Sequence, residues 1–353
     1  MISPVEIWVA EKAGLSDILS AESLLLWKKE KLQEQIRYAD ENCRFYHGKL
    51  TGKRDLNDLP FTYPTDLVND PLAFLAIPQR SVARITTLTT SGTTGAKKRI
   101  YFSAGDLERI IEFFAVGMST LVHHGQSALI LLSDQTENSL GNLLRTALSR
   151  MGVASFIAEN IQQADQAIIA AQGIDCLIGM PAEIHYMSQV EPGLHPKSIL
   201  LTADYIPQGV IRNIQNNWGS QVFTHYGLTE VGFGCAVDCD QHSGHHLRDA
   251  DVWIEIIDPQ TNRPAMPGES GEITLTTLRN EAMPLIRYRT GDFSHFIYEP
   301  CRCGGQLPRI GAIKGRYANA LSLADGSTFS IHQLDEWFFA IPEVNNYIAS
   351  YDD

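Results

Sequence analysis

Residues 89–98 read Thr89-Thr90-Ser91-Gly92-Thr93-Thr94-Gly95-Ala96-Lys97-Lys98. Five hydroxyls and two glycines fill the seven positions 89–95, just behind the β-branched run Ile85-Thr86-Thr87, and would be costly in a core. They suit a loop whose backbone N–H groups and hydroxyls wrap an oligophosphate, with cations at its exit. No Gly-Lys-Ser/Thr closes the loop, so it is not a Walker A sequence. A polar turn between two strands fits the same residues equally well, and the choice rests on what lies further along the chain.

Around this loop the pattern is α/β. Ala21 to Asn42 carries Leu24, Leu25, Trp27, Leu32, Ile36 and Tyr38 with cations between them, which predicts a helix. After the loop, Ile100–Phe102 reads as a strand, and Ser103 with Asp106 caps a helix over about 107–122. Strands at 128–132, 153–157, 176–178, 198–201 and 221–224 alternate with helices at 143–151, 160–172, from Pro181, and at 207–217. That alternation implies a parallel sheet wrapped by helices. From Ala250 the pattern turns to short β-strands, at 253–257, 271–277 and 284–288.

Composition narrows the class. The chain has 353 residues, 44% of them hydrophobic and 20% charged, with a net charge of −13. That balance suits a globular protein and argues against a general nucleic-acid or anionic-membrane binder. No apolar run approaches the roughly 20 residues of a membrane span, and Glu6, Glu11 and Lys12 interrupt any signal-peptide pattern. A cytoplasmic setting is expected, where six cysteines are free or metal-bound rather than paired.

Two further segments carry chemistry. Thr224-His225-Tyr226-Gly227-Leu228-Thr229-Glu230 stands at the C-terminal end of a predicted strand, the edge where parallel sheets bind ligands. A ring there can stack on a nucleobase, a hydroxyl can meet a phosphate and a carboxylate can hold Mg²⁺. In Arg287-Tyr288-Arg289-Thr290-Gly291-Asp292 a carboxylate follows a tight glycine turn and can accept both hydroxyls of a ribose. Each segment alone also reads as an ordinary turn.

In this order and spacing the chain resembles the acyl-adenylate-forming (AMP-binding) superfamily, within it the phenylacetate–CoA ligase branch. Thr90–Gly95 matches the phosphate loop, Tyr226–Glu230 the Tyr-Gly-x-Thr-Glu motif, and Tyr288–Asp292 the Tyr-Arg-Thr-Gly-Asp motif. Gly315-Arg316 matches the Gly-Arg before the family hinge. The resemblance implies an AMP-binding domain over 1–315, with parallel sheets flanked by helices and a smaller β-rich subdomain. It also implies that 316–353 is a truncated remnant of the C-terminal domain.

The implied chemistry has two steps. A carboxylate attacks the α-phosphate of ATP, and a thiol or other acceptor then takes the acyl group from the acyl-AMP. By the same resemblance Ser91, Gly92, Thr93, Thr94, Gly95 and Lys98 hold the β,γ-phosphates. Tyr226, beside Gly227, stacks on adenine, Thr229 meets the α-phosphate, Glu230 coordinates Mg²⁺, and Asp292 and Arg316 grip the ribose. An aromatic carboxylic acid is the implied substrate. CoA, another acyl acceptor or a reductase is the implied partner, and a homodimer the implied assembly. The resemblance extends to truncated ligases of antibiotic tailoring, which makes a phenazine carboxylate a candidate substrate.

Departures from the family pattern are informative. Pro-Lys-Gly after the phosphate loop is replaced by Lys97-Lys98-Arg99, so three cations are expected to meet the phosphates. The segment bordering adenine reads Thr202-Ala203-Asp204, and the hinge position is Ala318. Lys314 does not match the family's C-terminal catalytic lysine. A one-domain acyl-adenylating enzyme is expected, with a weak or inactive nucleotide-binding protein as the alternative. Cys301-Arg302-Cys303-Gly304-Gly305 resembles a Cys-x-Cys-Gly of the branch, with Cys239 and His246 where it places a Cys and a His. These four make a tetrahedral Zn²⁺ set, with Cys235, His242 and His245 as alternative ligands. Gly179–Ala182 and Phe233-Gly234 are expected to line the acid pocket, with Gly179, Ala182, Gly232 and Gly234 leaving room for a flat aromatic.

Overall fold

The computed structural model describes residues 2–15, 19–53, 55–89, 97–158, 173–315, 320–322 and 328–349. The chain divides into two compact units, Met1–Val116 with Tyr226–Ile313, and Gly117–His225 with Lys314–Asp353.

In the first unit the helix Ala21–Asn42 starts where the Ser20 side chain accepts from the Ser23 amide at 3.1 Å. Leu24, Lys28, Leu32, Gln35, Ile36 and Ala39 recur every three or four residues and are buried, which gives the helix one inward stripe. Lys28 lies on that stripe because its ammonium meets Asp249 at 2.6 Å. The strands Arg84–Thr89 and Lys97–Phe102 pair antiparallel as the two arms of the opening segment. At its end, Ser103 Oγ accepts from the Asp106 amide and Asp106 accepts from the Ser103 amide, both at 2.9 Å, and the helix Ala104–Met118 follows. A four-stranded antiparallel sheet runs in the order Arg263–Pro264, Val252–Asp258, Gly271–Thr277, Tyr288–Ser294. All seven residues of Gly271–Thr277 are buried, so this strand does not alternate.

The second unit holds the parallel sheet, in the order Ala154–Ile157, Ser127–Ile130, Cys176–Gly179, Ser198–Leu201, Gln221–Phe223. The helices Leu140–Arg150, Pro181–Val190 and Gln208–Trp218 accompany it. Leu177, Ile184, Met187, Ile199, Val210, Ile214 and Trp218 make its core. The helix expected over 160–172 lies outside the described residues. No described helix is long and apolar enough to cross a membrane.

The last β segment differs from expectation. The strand is Tyr288–Ser294, not 284–288. Side chains take the amides that a ladder would use: Thr277 Oγ1 accepts from Leu285 at 3.0 Å, the Tyr46 hydroxyl from Ile286 at 3.0 Å and Thr276 Oγ1 from Arg287 at 2.9 Å. Arg287 also has φ +46°, outside strand geometry. The expected glycine turn is a bulge inside the strand. Arg289 pairs with Thr274 and Phe293 with Glu272, so Thr290, Gly291 and Asp292 stand opposite Ile273 alone. Gly291 takes φ +79° there, which a side chain would resist.

Candidate functional site

Strand alternation sorts the three cations behind the opening loop. Lys97 and Arg99 face solvent, whereas Lys98 turns inward with 12% of its side chain exposed. Its ammonium forms an ion pair with Glu230, whose side chain is 5% exposed. The Tyr288 hydroxyl donates to the same Glu230 oxygen at 2.9 Å and accepts from Lys98 at 3.1 Å. Of the three cations expected to meet the phosphates, Lys98 is the one turned toward Glu230. The motif Tyr288–Asp292 assigns Tyr288 no role, and its hydroxyl gains one only through this proximity to Glu230 and Lys98.

The short turn Thr229–Val231 presents Glu230, with Thr229 half-buried at its start. Gly227 explains the entry to this turn. A Cβ at Gly227 would strike the carbonyl of Phe233, so only glycine lets the chain double back so closely. Phe233 itself has φ +71°, held by its amide's 2.8 Å bond to Leu228 O. Tyr226 is 5% exposed, and its hydroxyl donates to Asp292 Oδ2 at 3.0 Å. Burial first, and the Asp292 carboxylate after it, pushes the Tyr226 phenol well above its ordinary range. The Thr290 hydroxyl accepts from the Asp292 amide at 3.0 Å and fixes the carboxylate in the bulge. The residues expected to meet base and ribose are thus hydrogen-bonded to each other.

The two arginines of the same motif are structural. Arg287 grips Glu255 through two nitrogens, at 2.9 and 3.1 Å, and Arg289 pairs with Glu272. Gly232 and Gly234 do not open a pocket: a Cβ at the first would press on Ile110 and at the second on Phe113. A cleft of about 1390 Å³ in the first unit, lined by Lys28, Trp253 and Tyr298, holds none of the expected site residues.

In the second unit, Ala203 and Asp204 lie exposed just past the C-terminal end of Ser198–Leu201. Ala203 has φ +70°, and Asp204 accepts from the Tyr205 amide at 2.7 Å. Ser91, Gly92, Thr93, Thr94, Gly95 and Arg316 lie outside the described residues.

Four of the metal-ligand candidates converge. Cys239, His246, Cys301 and Cys303 are all buried, and their donor atoms lie within 4.8 Å of one another. Cys239 Sγ is 3.7 Å from Cys301 Sγ, and Cys303 Sγ is 3.6 Å from His246 Nε2. Tetrahedral zinc with Zn–S of about 2.3 Å and Zn–N of about 2.0–2.1 Å requires edges of roughly 3.6–3.8 Å. Burial pushes His246 down to about 4, which keeps the imidazole neutral and able to ligate. Burial also pushes the Cys239 thiol up to about 12, a cost that a bound cation reverses. Cys235, His242 and His245 are not in the cluster, and His242 Nδ1 lies instead 2.7 Å from an oxygen of Asp238. Sequence reasoning missed Glu6, whose carboxylate accepts from the amides of Gln306 at 2.6 Å and Leu307 at 3.1 Å and so braces the Cys301–Cys303 turn.

Comparison with known proteins gives the family and the fold. A family profile described as "AMP-binding enzyme" matches residues 57–278. A phenylacetate-coenzyme A ligase of Thermus thermophilus is 27% identical over 93% of this chain and 78% of its own length. Proteins of the same name from Pseudomonas putida and Escherichia coli are 26% and 25% identical, over 92% and 90% of this chain and 78% and 76% of theirs. Among solved structures, 2-hydroxyisobutyryl-CoA ligase in complex with 2-HIB-AMP matches with a TM-score of 0.80 at 17% identity, over 92% of this chain and 74% of that one. The o-succinylbenzoate coenzyme A synthetase of Bacillus subtilis in complex with AMP matches with a TM-score of 0.53 at 15% identity, over 75% and 56%. At these identities the two structures speak for the fold.

Proposed function

The chain belongs to the AMP-binding enzyme family, and from that premise we propose that it uses ATP to activate an aromatic carboxylic acid as an acyl-adenylate. The observation that carries the reading is the Lys98–Glu230–Tyr288 cluster, which joins the strand behind the hydroxyl-rich loop to two motifs 132 and 190 residues away. Lys98 would take a phosphate oxygen. Glu230 would hold Mg²⁺, since its oxygen already faces one cation, the Lys98 ammonium, and carboxylate is the donor that ion prefers. When bound, the ion neutralises phosphate charge. Thr229 would meet the α-phosphate, Tyr226 would lie along the adenine, and Asp292 would accept the ribose hydroxyls. Ala203 and Asp204 would border the base, while Ser91–Gly95 and Arg316 would hold phosphate and ribose. Catalysis in such a site is mostly positioning and charge stabilisation.

CoA is the acceptor that the relatives' names suggest for the second step, and a phenazine carboxylate is one of the acids to try. The cluster Cys239, His246, Cys301 and Cys303 fits structural Zn²⁺, because four ligands leave no open position for catalysis. Incubation with ATP, Mg²⁺ and a panel of aromatic acids, followed by mass spectrometry, is expected to reveal an acyl-AMP for at least one acid. Nucleotide binding with no acyl-AMP from any acid would replace this reading with a nucleotide-binding protein.

A further inference from the structure

In the pair Arg84–Thr89 and Lys97–Phe102, Arg84 stands opposite Phe102, Thr86 opposite Ile100 and Leu88 opposite Lys98. Directly opposed residues of an antiparallel pair project to one face. Arg84 and Lys98 therefore share the face on which Ile100 and Phe102 are buried. Four residue steps separate Leu88 from Arg84, so the two cationic positions lie about 13 Å apart along the strands. Lys98 is at the loop end, beside Glu230, and Arg84 is at the other.

The surroundings of Arg84 are aromatic. Its guanidinium lies over the Phe233 ring, 5.4 Å from the centroid, and Phe233 stacks on Phe102 at 6.0 Å and meets Phe114 at 6.4 Å. Phe233 is three residues past Glu230, and the left-handed backbone noted above aims its ring here. Nε of Arg84 donates to Thr86 Oγ1 at 2.9 Å, while Nη1 is buried without a hydrogen-bond partner among the described residues. Four other inward arginines of this unit hold a carboxylate, Arg109 with Asp106, Arg248 with Asp251, Arg287 with Glu255 and Arg289 with Glu272, and Arg309 donates to the carbonyls of Ser243 and Glu299. Arg84 has no such partner among the described residues, and burial alone draws its pKa down. A guanidinium does not shed its proton, so it stays a charge with an empty donor position.

We propose that Arg84 is a specificity-determining residue that binds a second carboxylate, on an aromatic diacid whose other carboxylate is activated beside Glu230. The proposal rests on the adenylation reading above for that second clause. Phe233 and Phe114, both partly exposed, supply apolar surface for the ring, and the planar fork of the guanidinium suits a carboxylate.

The test measures calorimetric dissociation constants for isophthalate, terephthalate and naphthalene-2,6-dicarboxylate, each against its monomethyl ester, with and without a non-hydrolysable ATP analogue. The ester keeps the shape and loses one charge. Wild-type protein is expected to prefer at least one diacid over its ester by about 10–100-fold. Arg84→Met should bring that ratio close to one, and Arg84→Lys should keep only part of it. Should Arg84→Met fail to fold, the wild-type ratio and Arg84→Lys decide. Equal binding of every diacid and its ester by wild type, no binding of any diacid, or an undiminished preference in Arg84→Met would overturn the proposal. Arg84-dependent binding without acyl-AMP formation would keep this site and remove the adenylation reading. Adenylation of monoacids with no Arg84-dependent selectivity would do the reverse.

Discussion

Gly227 has the carbonyl of Phe233 where a side chain would begin, and the turn so formed leads to Phe233, whose ring lies beneath the Arg84 guanidinium. Gly227→Ala is expected to cost about 3 kcal/mol or more, read as a fall in the urea midpoint, because a backbone carbonyl cannot step aside as a side chain can. Tyr288→Phe removes one donor to Glu230 and one acceptor from Lys98, and should lower stability by about 1–2 kcal/mol in the same measurement. His185 offers a pH test in the second unit. It is buried, its Nε2 lies 3.3 Å from Asn213 Nδ2, and burial lowers its pKa from the ordinary 6.5. The unfolded chain therefore takes up the proton first, and stability is lost as pH falls through about 6.5. His185→Gln should show a smaller drop in melting temperature between pH 7.5 and 5 than wild type, and an equal drop would reject this role. The identities of Glu230, Asp292 and Lys98 were legible as motifs. Their hydrogen-bond partners were not, because Tyr288 and Thr290 act by proximity that no spacing rule encodes.

Among elements, local pattern succeeded where one force ruled. Ser198–Leu201 and Gly271–Thr277 have the bounds read from their apolar and β-branched runs. The helix Ala21–Asn42 follows its repeating apolar stripe. The segment 284–294 went astray because Pro284–Ile286 has strand composition, yet Thr276, Thr277 and Tyr46 claim its amides. The Cys/His cluster was legible as a set with alternatives, and folding alone separated Cys239 and His246 from Cys235, His242 and His245. It brings the 239–246 segment against the 301–303 turn, which Glu6 braces from the helix Pro4–Ala13. Purified protein should carry about one zinc per chain, and chelation should lower the melting temperature by about 5–10 °C. Glu6→Ala leaves the amides of Gln306 and the buried Leu307 without their acceptor and should cost about 1–3 kcal/mol.

At the scale of the chain, the helix–strand alternation and the later β-rich pattern both appear, but each compact unit is discontinuous in sequence. Sequence order cannot reveal that residues 1–116 fold with 226–313, because the pairing is made by burial across a long insertion. The convergence of Lys98, Glu230 and Tyr288 is the consequence on which the proposed activity rests. Acid-dependent exchange of labelled pyrophosphate into ATP measures that consequence directly, since it reports reversible adenylate formation without requiring an acyl acceptor. Wild-type protein with Mg²⁺ and a suitable aromatic acid is expected to exchange, and Glu230→Gln to lose the exchange by about 10²–10³-fold. Exchange in Glu230→Gln equal to wild type would contradict the assignment of this site.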